Sequence, residues 1–280
     1  MLIKKLSKGL TTIDRLLILK FYDAKSLGFY SLGNLAFAPL LMVCSASSSI
    51  MYPRFAEKYG ETGNPRFLTR YMIIPVENLA LVASILIGVI YIALPGFVKI
   101  FLPKYTQGVS AARILMFGLF FYAMAGMAGN MLLTINKQTL RLVIFVGSAL
   151  LNFITSYIFI QLGYGIEGVA FGSFLGYFVF FLISNTIAMH YSKASLKTIF
   201  VLLLKVILPI SYVGVLCSII SKLIGISFSI NGFELVFRSI VAELLFFCLI
   251  FYHINAFIKK NTDILKLILK EIRLGGRGKE

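Results

Sequence analysis

An all-α bundle of membrane-spanning helices is the fold class this sequence predicts, on three observations. Hydrophobic residues make up 59% of the 280 and charged residues only 14%, whereas soluble domains run at roughly 45–50% apolar and about 25% charged. The mean hydropathy is +0.91. The apolar residues also fall in runs of about 20, the length that crosses about 30 Å of hydrocarbon at about 1.5 Å per residue. Strands are excluded as spans because lipid forbids open sheet edges and the runs lack the alternation of barrel strands.

The runs place a short leading helix at 10–22 and full helices at 29–51, 71–95, 109–134, 140–161, 166–189, 199–221 and 235–257. Together they form a transmembrane bundle over 1–257, followed by a tail over 258–280. The leading run is preceded by Lys4, Lys5 and Lys8 but interrupted by Asp14, Arg15 and Lys20, so it is not the uninterrupted apolar core of a signal peptide. Helix 29–51 contains Pro39 and helix 71–95 contains Pro75, each of which removes a backbone hydrogen bond and bends its helix. Between them Tyr52 to Arg70 reads as the longest loop. Helix 109–134 carries the small residues Gly126 and Gly129 beside Asn130. Helix 166–189 carries Gly168, Gly172 and Gly176 at four-residue spacing, a smooth stripe suited to close helix packing. With no Trp in the chain, Tyr22, Tyr30, Tyr52, Tyr71, Tyr105, Tyr164, Tyr191 and Tyr252 near the helix ends supply the interfacial aromatic belt. In the tail, Ile264, Leu265, Ile268, Leu269 and Ile272 share one helical face opposite Lys266, Lys270 and Arg273, the pattern of a helix lying on an anionic leaflet. A solvated basic tail is the alternative reading.

The formal net charge is +16. Phosphate neutralisation would need those cations clustered on one solvated face; they lie between the apolar runs instead, which excludes nucleic acid as a partner. Counted by side with the N-terminus cytoplasmic, the basic residues split roughly 18 against 5, which puts 53–70 and the tail in the cytoplasm. Cys44, Cys217 and Cys248 sit in apolar runs, and His190 and His253 flank helix ends without ligand spacing, so no disulfide framework, metal site or cofactor is expected.

An ionisable group at the centre of a span costs about 2.5–3.5 kcal/mol on insertion scales, so each needs a cavity, a partner or a route to the interface. Asp14 and Arg15 lie about 12 Å before the end of the leading helix, where they pair with neighbours or line a hydrated path. Glu77, just after Pro75, is a comparable cavity candidate, and Glu243 lies near the middle of the last run. Lys205 can snorkel to the surface, and Glu234 with Arg238 is spaced for an i,i+4 pair. Arg113 is shallow enough to meet headgroups. Asn34, Asn78, Asn130 and Asn152 are placed to hydrogen-bond across helices, with Asn130 also a cavity candidate.

The run TTIDRLLILKF, then SLGFYSLG and MYPRFAEKYGETGN, resembles the start of the C-terminal half of O-antigen-type polysaccharide flippases of the MATE-like multidrug, oligosaccharidyl-lipid and polysaccharide flippase superfamily. FLPKYTQGVSAARIL resembles that family's periplasmic loop and next helix, and LLNFITSYIFIQLGYGIEGVAFGS its Asn-containing helix, Gly turn and Gly/Ala-rich entry. The likeness covers roughly residues 9–190, with the last two spans matched by hydropathy alone. It implies a MATE-like C-terminal lobe plus two extra helices in the bacterial inner membrane, flipping undecaprenyl-diphosphate-linked oligosaccharide to the periplasmic leaflet by alternating access. It also implies a partner: family members carry a six-helix N-terminal bundle before this region, so a separate half would complete the cavity, or the chain is a truncated transporter. Cationic cavity residues would suit the diphosphate, Arg15 first and Arg113 second.

Three other functions compete. A MATE-type drug or cation antiporter would rely on the acids Asp14 and Glu77 rather than on cations. A non-transporting scaffold of polysaccharide assembly would need no cavity at all. An envelope-synthesis enzyme is disfavoured, because such chemistry needs acid/base groups set against the substrate, and Tyr52 to Arg70 has no His and a Glu57/Glu61 pair that reads as solvated.

Overall fold

A computed structural model describes residues 9–223 and single positions between 234 and 246. Among the described residues every regular element is helical. Eight α-helices run continuously through the described residues: α1 (Gly9–Phe21), α2 (Ala24–Thr62), α3 (Leu68–Phe101), α4 (Val109–Met124), α5 (Gly126–Thr134), α6 (Gln138–Gln161), α7 (Gly165–Tyr191) and α8 (Leu196–Leu223). Six helical stretches, from Ala24–Thr62 to Leu196–Leu223, are long and apolar enough to cross a membrane, so the chain is a multi-pass bundle by length and composition.

The ends of these helices follow from local chemistry. The Asp23 carboxylate accepts the Ser26 amide at 2.7 Å and starts α2, which satisfies an amide that has no partner within the helix. Gly63, at φ 61°, closes α2 by donating to the Tyr59 carbonyl. One closing motif then ends α5, α6 and α7 in turn. Asn136 (φ 58°), Gly163 (φ 81°) and Lys193 (φ 56°) take the left-handed conformation. The residues after them return N–H bonds to the carbonyls of Leu132, Phe159 and Met189, as a Schellman cap requires.

Helix α7 packs on α6 and α4, α4 on α2, α1 on α6, and α8 lies along α3. The Gly168–Gly172–Gly176 stripe does face α6: a Cβ at Gly176 would come 2.7 Å from the Asn152 Cβ, and one at Gly172 2.6 Å from the Ser156 amide nitrogen. Pro103–Thr134 is the most enclosed of the six stretches, which puts α4 and α5 at the bundle centre. Ala242 and Phe246 join Ile92, Val213 and Cys217 in a second apolar cluster, and Gly88 makes room for the Phe246 ring.

The sequence-based boundaries need two corrections. Tyr52 to Arg70 is not a loop, because α2 runs through Pro53 to Thr62 and only Gly63 and Asn64 separate it from the 3₁₀ turn Pro65–Phe67 that leads into α3. At 39 residues, α2 is about 58 Å long and projects beyond the hydrocarbon. Its projecting end still has an apolar side, with Phe55 fully buried, and it carries a Lys58–Glu61 pair at 3.0 Å. The run 109–134 is likewise two helices meeting in a turn at Ala125, ahead of Gly126, where glycine weakens helix propagation. The tail 258–280 and its amphipathic face, most of the run 235–257, and Glu243, His253 and Cys248 lie outside the described residues.

Candidate functional site

Helix α1 packs on α6 and brings Asp14 into the interior, where it is 1% exposed. Three neighbouring helices supply its partners. From α2, the Tyr30 hydroxyl lies 2.8 Å from Oδ2 and donates to it when the carboxyl is ionised. From α6, Asn152 Nδ2 donates to Oδ1 at 2.9 Å, and Asn152 Oδ1 in turn accepts from Ser156 at 2.9 Å. From α7, Ser173 Oγ sits 2.9 Å from the Tyr30 oxygen and donates to the Val169 carbonyl at 2.9 Å. Close approach of α6 and α7 at Gly172 and Gly176 brings these side chains within reach of one another. The Tyr177 hydroxyl and Ser148 Oγ, also buried, have no hydrogen-bond partner among the described residues.

The oxygen chain Asp14–Tyr30–Ser173–Val169 contains three contacts. With Asp14 ionised, Tyr30 and Ser173 supply two hydrogens between them and one contact goes unfilled. With a proton on Asp14, each hydroxyl passes its hydrogen one step along and all three contacts are made. A carboxylate buried without a cation is otherwise costly, and among the described residues Asp14 has no ion-pair partner: Arg15, next to it in sequence, is exposed on the outer side of α1.

The other sequence-derived candidates are dispersed. Glu77 on α3 is bound by Lys205 on α8, whose ammonium lies 2.9 Å from each carboxylate oxygen; Lys205 therefore pairs across helices rather than reaching alone for the surface. Arg113 on α4 repairs a proline break. Pro95 has no N–H, which leaves the Tyr91 carbonyl four residues earlier without its helical donor. Arg113 donates to that carbonyl from Nε (3.2 Å) and Nη2 (2.9 Å), with its guanidinium 4.1 Å from the centre of the Tyr91 ring. Glu234 and Arg238 form the expected pair at 2.6 Å.

Of the five, Asn130 lines a cleft. Its amide donates to the Ser48 carbonyl at 2.9 Å, and it borders a space of about 920 Å³ between α2, α4, α5, α6 and α7. Ser45, Ser48, Ser49, Tyr52, Tyr122, Gln138 and Arg141 contribute further polar groups of the cleft wall, and Leu41, Phe145 and Phe180 part of the apolar wall. In the sequence Arg141 stands only among the loop cations and Tyr30 in the interfacial aromatic belt; Tyr30 is instead buried at 2% exposure, held inside by Asp14 and Ser173. Ser173 and Tyr177 look like ordinary packing residues until α2 and α7 fold against α1. The one signal for Arg141 in the sequence is its spacing: Arg141, Ser148, Asn152 and Ser156 recur at seven and four residues, on one face of α6. No protein-family model, curated protein or solved structure matches this chain.

Proposed function

We propose that this chain is the C-terminal lobe of an ion-coupled flippase that exports undecaprenyl-diphosphate-linked oligosaccharide across the bacterial inner membrane. The observation that carries the reading is Asp14: a carboxylate inside a bundle of membrane-length helices, held by hydroxyls and an amide, whose hydrogen-bond chain is complete when the carboxyl is protonated. A group that exchanges a proton between two arrangements of its neighbours is what coupling to an ion gradient requires. The cargo comes from the resemblance of residues 9–190 to polysaccharide flippases. The charges support it over the antiporter reading, since Glu77 is bound to Lys205 and no Asp or Glu lines the cleft, whereas Arg141 does.

In this reading a six-helix N-terminal partner completes the transport path, with Arg15 on the exposed side of α1 turned to it. The connections at 63–67, 135–137 and 192–195 are cytoplasmic, as the basic-residue asymmetry indicates. Cysteines introduced at Asn136 and Gln107, both exposed, after replacement of the native cysteines, test this orientation with an impermeant maleimide in intact cells. Labelling at Gln107 alone is expected, and labelling at Asn136 alone would reverse the topology.

The function is tested in a flippase-deletion strain expressing the chain with and without a six-helix partner, with surface polysaccharide as the readout. Asp14→Asn is expected to abolish export at unchanged membrane abundance, since asparagine preserves a donor toward Tyr30 but cannot exchange a proton. Arg15→Ala is expected to reduce export and Arg15→Lys to restore part of it. Full export by Asp14→Asn at normal abundance would contradict the coupling role.

A further inference from the structure

The cleft bordered by Asn130 holds a cation for which the described residues provide no counter-ion. Arg141 is half-buried on α6, and among the described residues its guanidinium has no hydrogen-bond or ion-pair partner. It is not a loosely placed surface arginine, because it lies directly against the backbone of α5: a Cβ at Gly129 would come 2.7 Å from both Cζ and Nε. The neighbouring Asn130 amide is committed to the Ser48 carbonyl, and the guanidinium N–H groups offer charged donors on the cleft wall, with the side chains of Ser49, Tyr52, Tyr122 and Gln138 around the same cleft. A planar fork of five donors matches phosphate oxygens in number and shape.

Depth agrees with charge. Arg141 lies three residues after the start of α6 at Gln138, about 5 Å along the helix axis, near the headgroup level where a membrane-anchored phosphate would sit. The volume of about 920 Å³ is well beyond one phosphate and falls within the range of ligand pockets, about 300–1,000 Å³. Tyr122, on the cleft wall, meets the Tyr177 ring at 5.4 Å, which connects the cleft with the interior that holds Asp14.

We propose that this cleft binds a phosphate or diphosphate ester, gripped by the Arg141 guanidinium on its Gly129 seat. That the ester is the diphosphate of the transported lipid rests on the function proposed above; the anion site does not.

The test uses the full chain in phosphatidylcholine nanodiscs titrated with farnesyl diphosphate. Arg141→Gln is expected to weaken binding about tenfold or more, and Arg141→Lys to retain part of the affinity. Gly129→Ala, which displaces the guanidinium without removing it, should weaken binding several-fold with helix content and monodispersity unchanged. Arg54→Gln, an exposed charge outside the cleft wall, should bind as the unmodified chain does. Displacement by inorganic pyrophosphate would support the site with the diphosphate itself as the recognised group. Displacement only in discs containing phosphatidylglycerol would support it with a bilayer lipid as occupant. Equal affinity for Arg141→Gln and the unmodified chain, or an equal loss in Arg54→Gln, would overturn the proposal. Lost binding with normal export in Arg141→Gln would leave the anion site standing and break its link to transport; absent export by the unmodified chain together with its six-helix partner, with binding that still depends on Arg141, would break the proposed function alone.

Discussion

The two sides of the bundle treat membrane-embedded charge in opposite ways. On the side built from α3, α4 and α8, each charge named above ends in a partner: Glu77 holds Lys205 through both oxygens, and Arg113 covers the carbonyl that Pro95 orphans. On the side built from α1, α2, α6 and α7, the described residues give Asp14 hydroxyls and an amide and no cation, and Arg141 no anion. The first arrangement is complete in one protonation state. The second becomes complete only when something arrives, a proton at Asp14 or an anion at Arg141. Transport would be expected to draw on the incomplete side, and the paired side to act as framework.

Mutations break or sharpen that contrast. The largest effect is expected at Asp14, where Leu should prevent stable insertion by stranding Tyr30 and Asn152, whereas Asn should be tolerated by the fold and abolish export. Membrane abundance together with surface polysaccharide separates the two outcomes. Next comes Gly172→Val, which drives a side chain into the Ser156 backbone across the α6–α7 seam. Overpacking of this kind costs about 1–3 kcal/mol, read as earlier unfolding in detergent titration.

On the paired side, Arg113→Leu should cost about 1–2 kcal/mol by leaving the Tyr91 carbonyl bare. Adding Pro95→Ala should recover much of this, because alanine restores the helical N–H donor; a double-mutant cycle without coupling would show that Arg113 does not serve as that carbonyl's donor. Glu77→Gln with Lys205→Gln should lower stability by under about 1 kcal/mol, given the exposure of the lysine, and leave export intact. The smallest effect is expected at Asp23, where hydrogen bonds from Ser26 hold the carboxyl below its ordinary range. Its support for the start of α2 is therefore present above the unfolded carboxyl pKa and lost as pH falls through the lower folded value. Asp23→Ala should remove that acid dependence, seen as a protection factor at the Ser26 amide, after correction for intrinsic exchange, that no longer falls with acidification.

Much of the framework was legible in the sequence because hydropathy and small-residue spacing are local. The apolar runs between 29 and 221 marked where the described membrane-length helices lie, although α2 and α3 run on eleven and six residues past the ends of their runs, and Gly168, Gly172 and Gly176 identified the face of α7 that meets α6. The extension of α2 through Pro53 was missed, since a charged segment with a proline reads as a loop unless the burial of Phe55 is known. Arg113 was misjudged for a related reason: its partner is a backbone carbonyl on another helix, freed by a proline that lies 18 positions earlier in sequence. The Asp14 site was half legible. The cost of its charge was visible, but its hydrogen-bond chain depends on residues up to 159 positions away, and no periodicity within one helix reports such a meeting.

The proton on Asp14 is most directly tested by infrared difference spectroscopy of the reconstituted chain at neutral pH, comparing it with Asp14→Asn. A protonated-carboxyl carbonyl band that is present in the unmodified chain, shifts when Tyr30→Phe removes its hydrogen-bond partner, and vanishes in Asp14→Asn is the expected result. Absence of that band, with Asp14 contributing only carboxylate stretches across the neutral range, would contradict the reading of Asp14 as the proton-exchanging group of a coupled transporter.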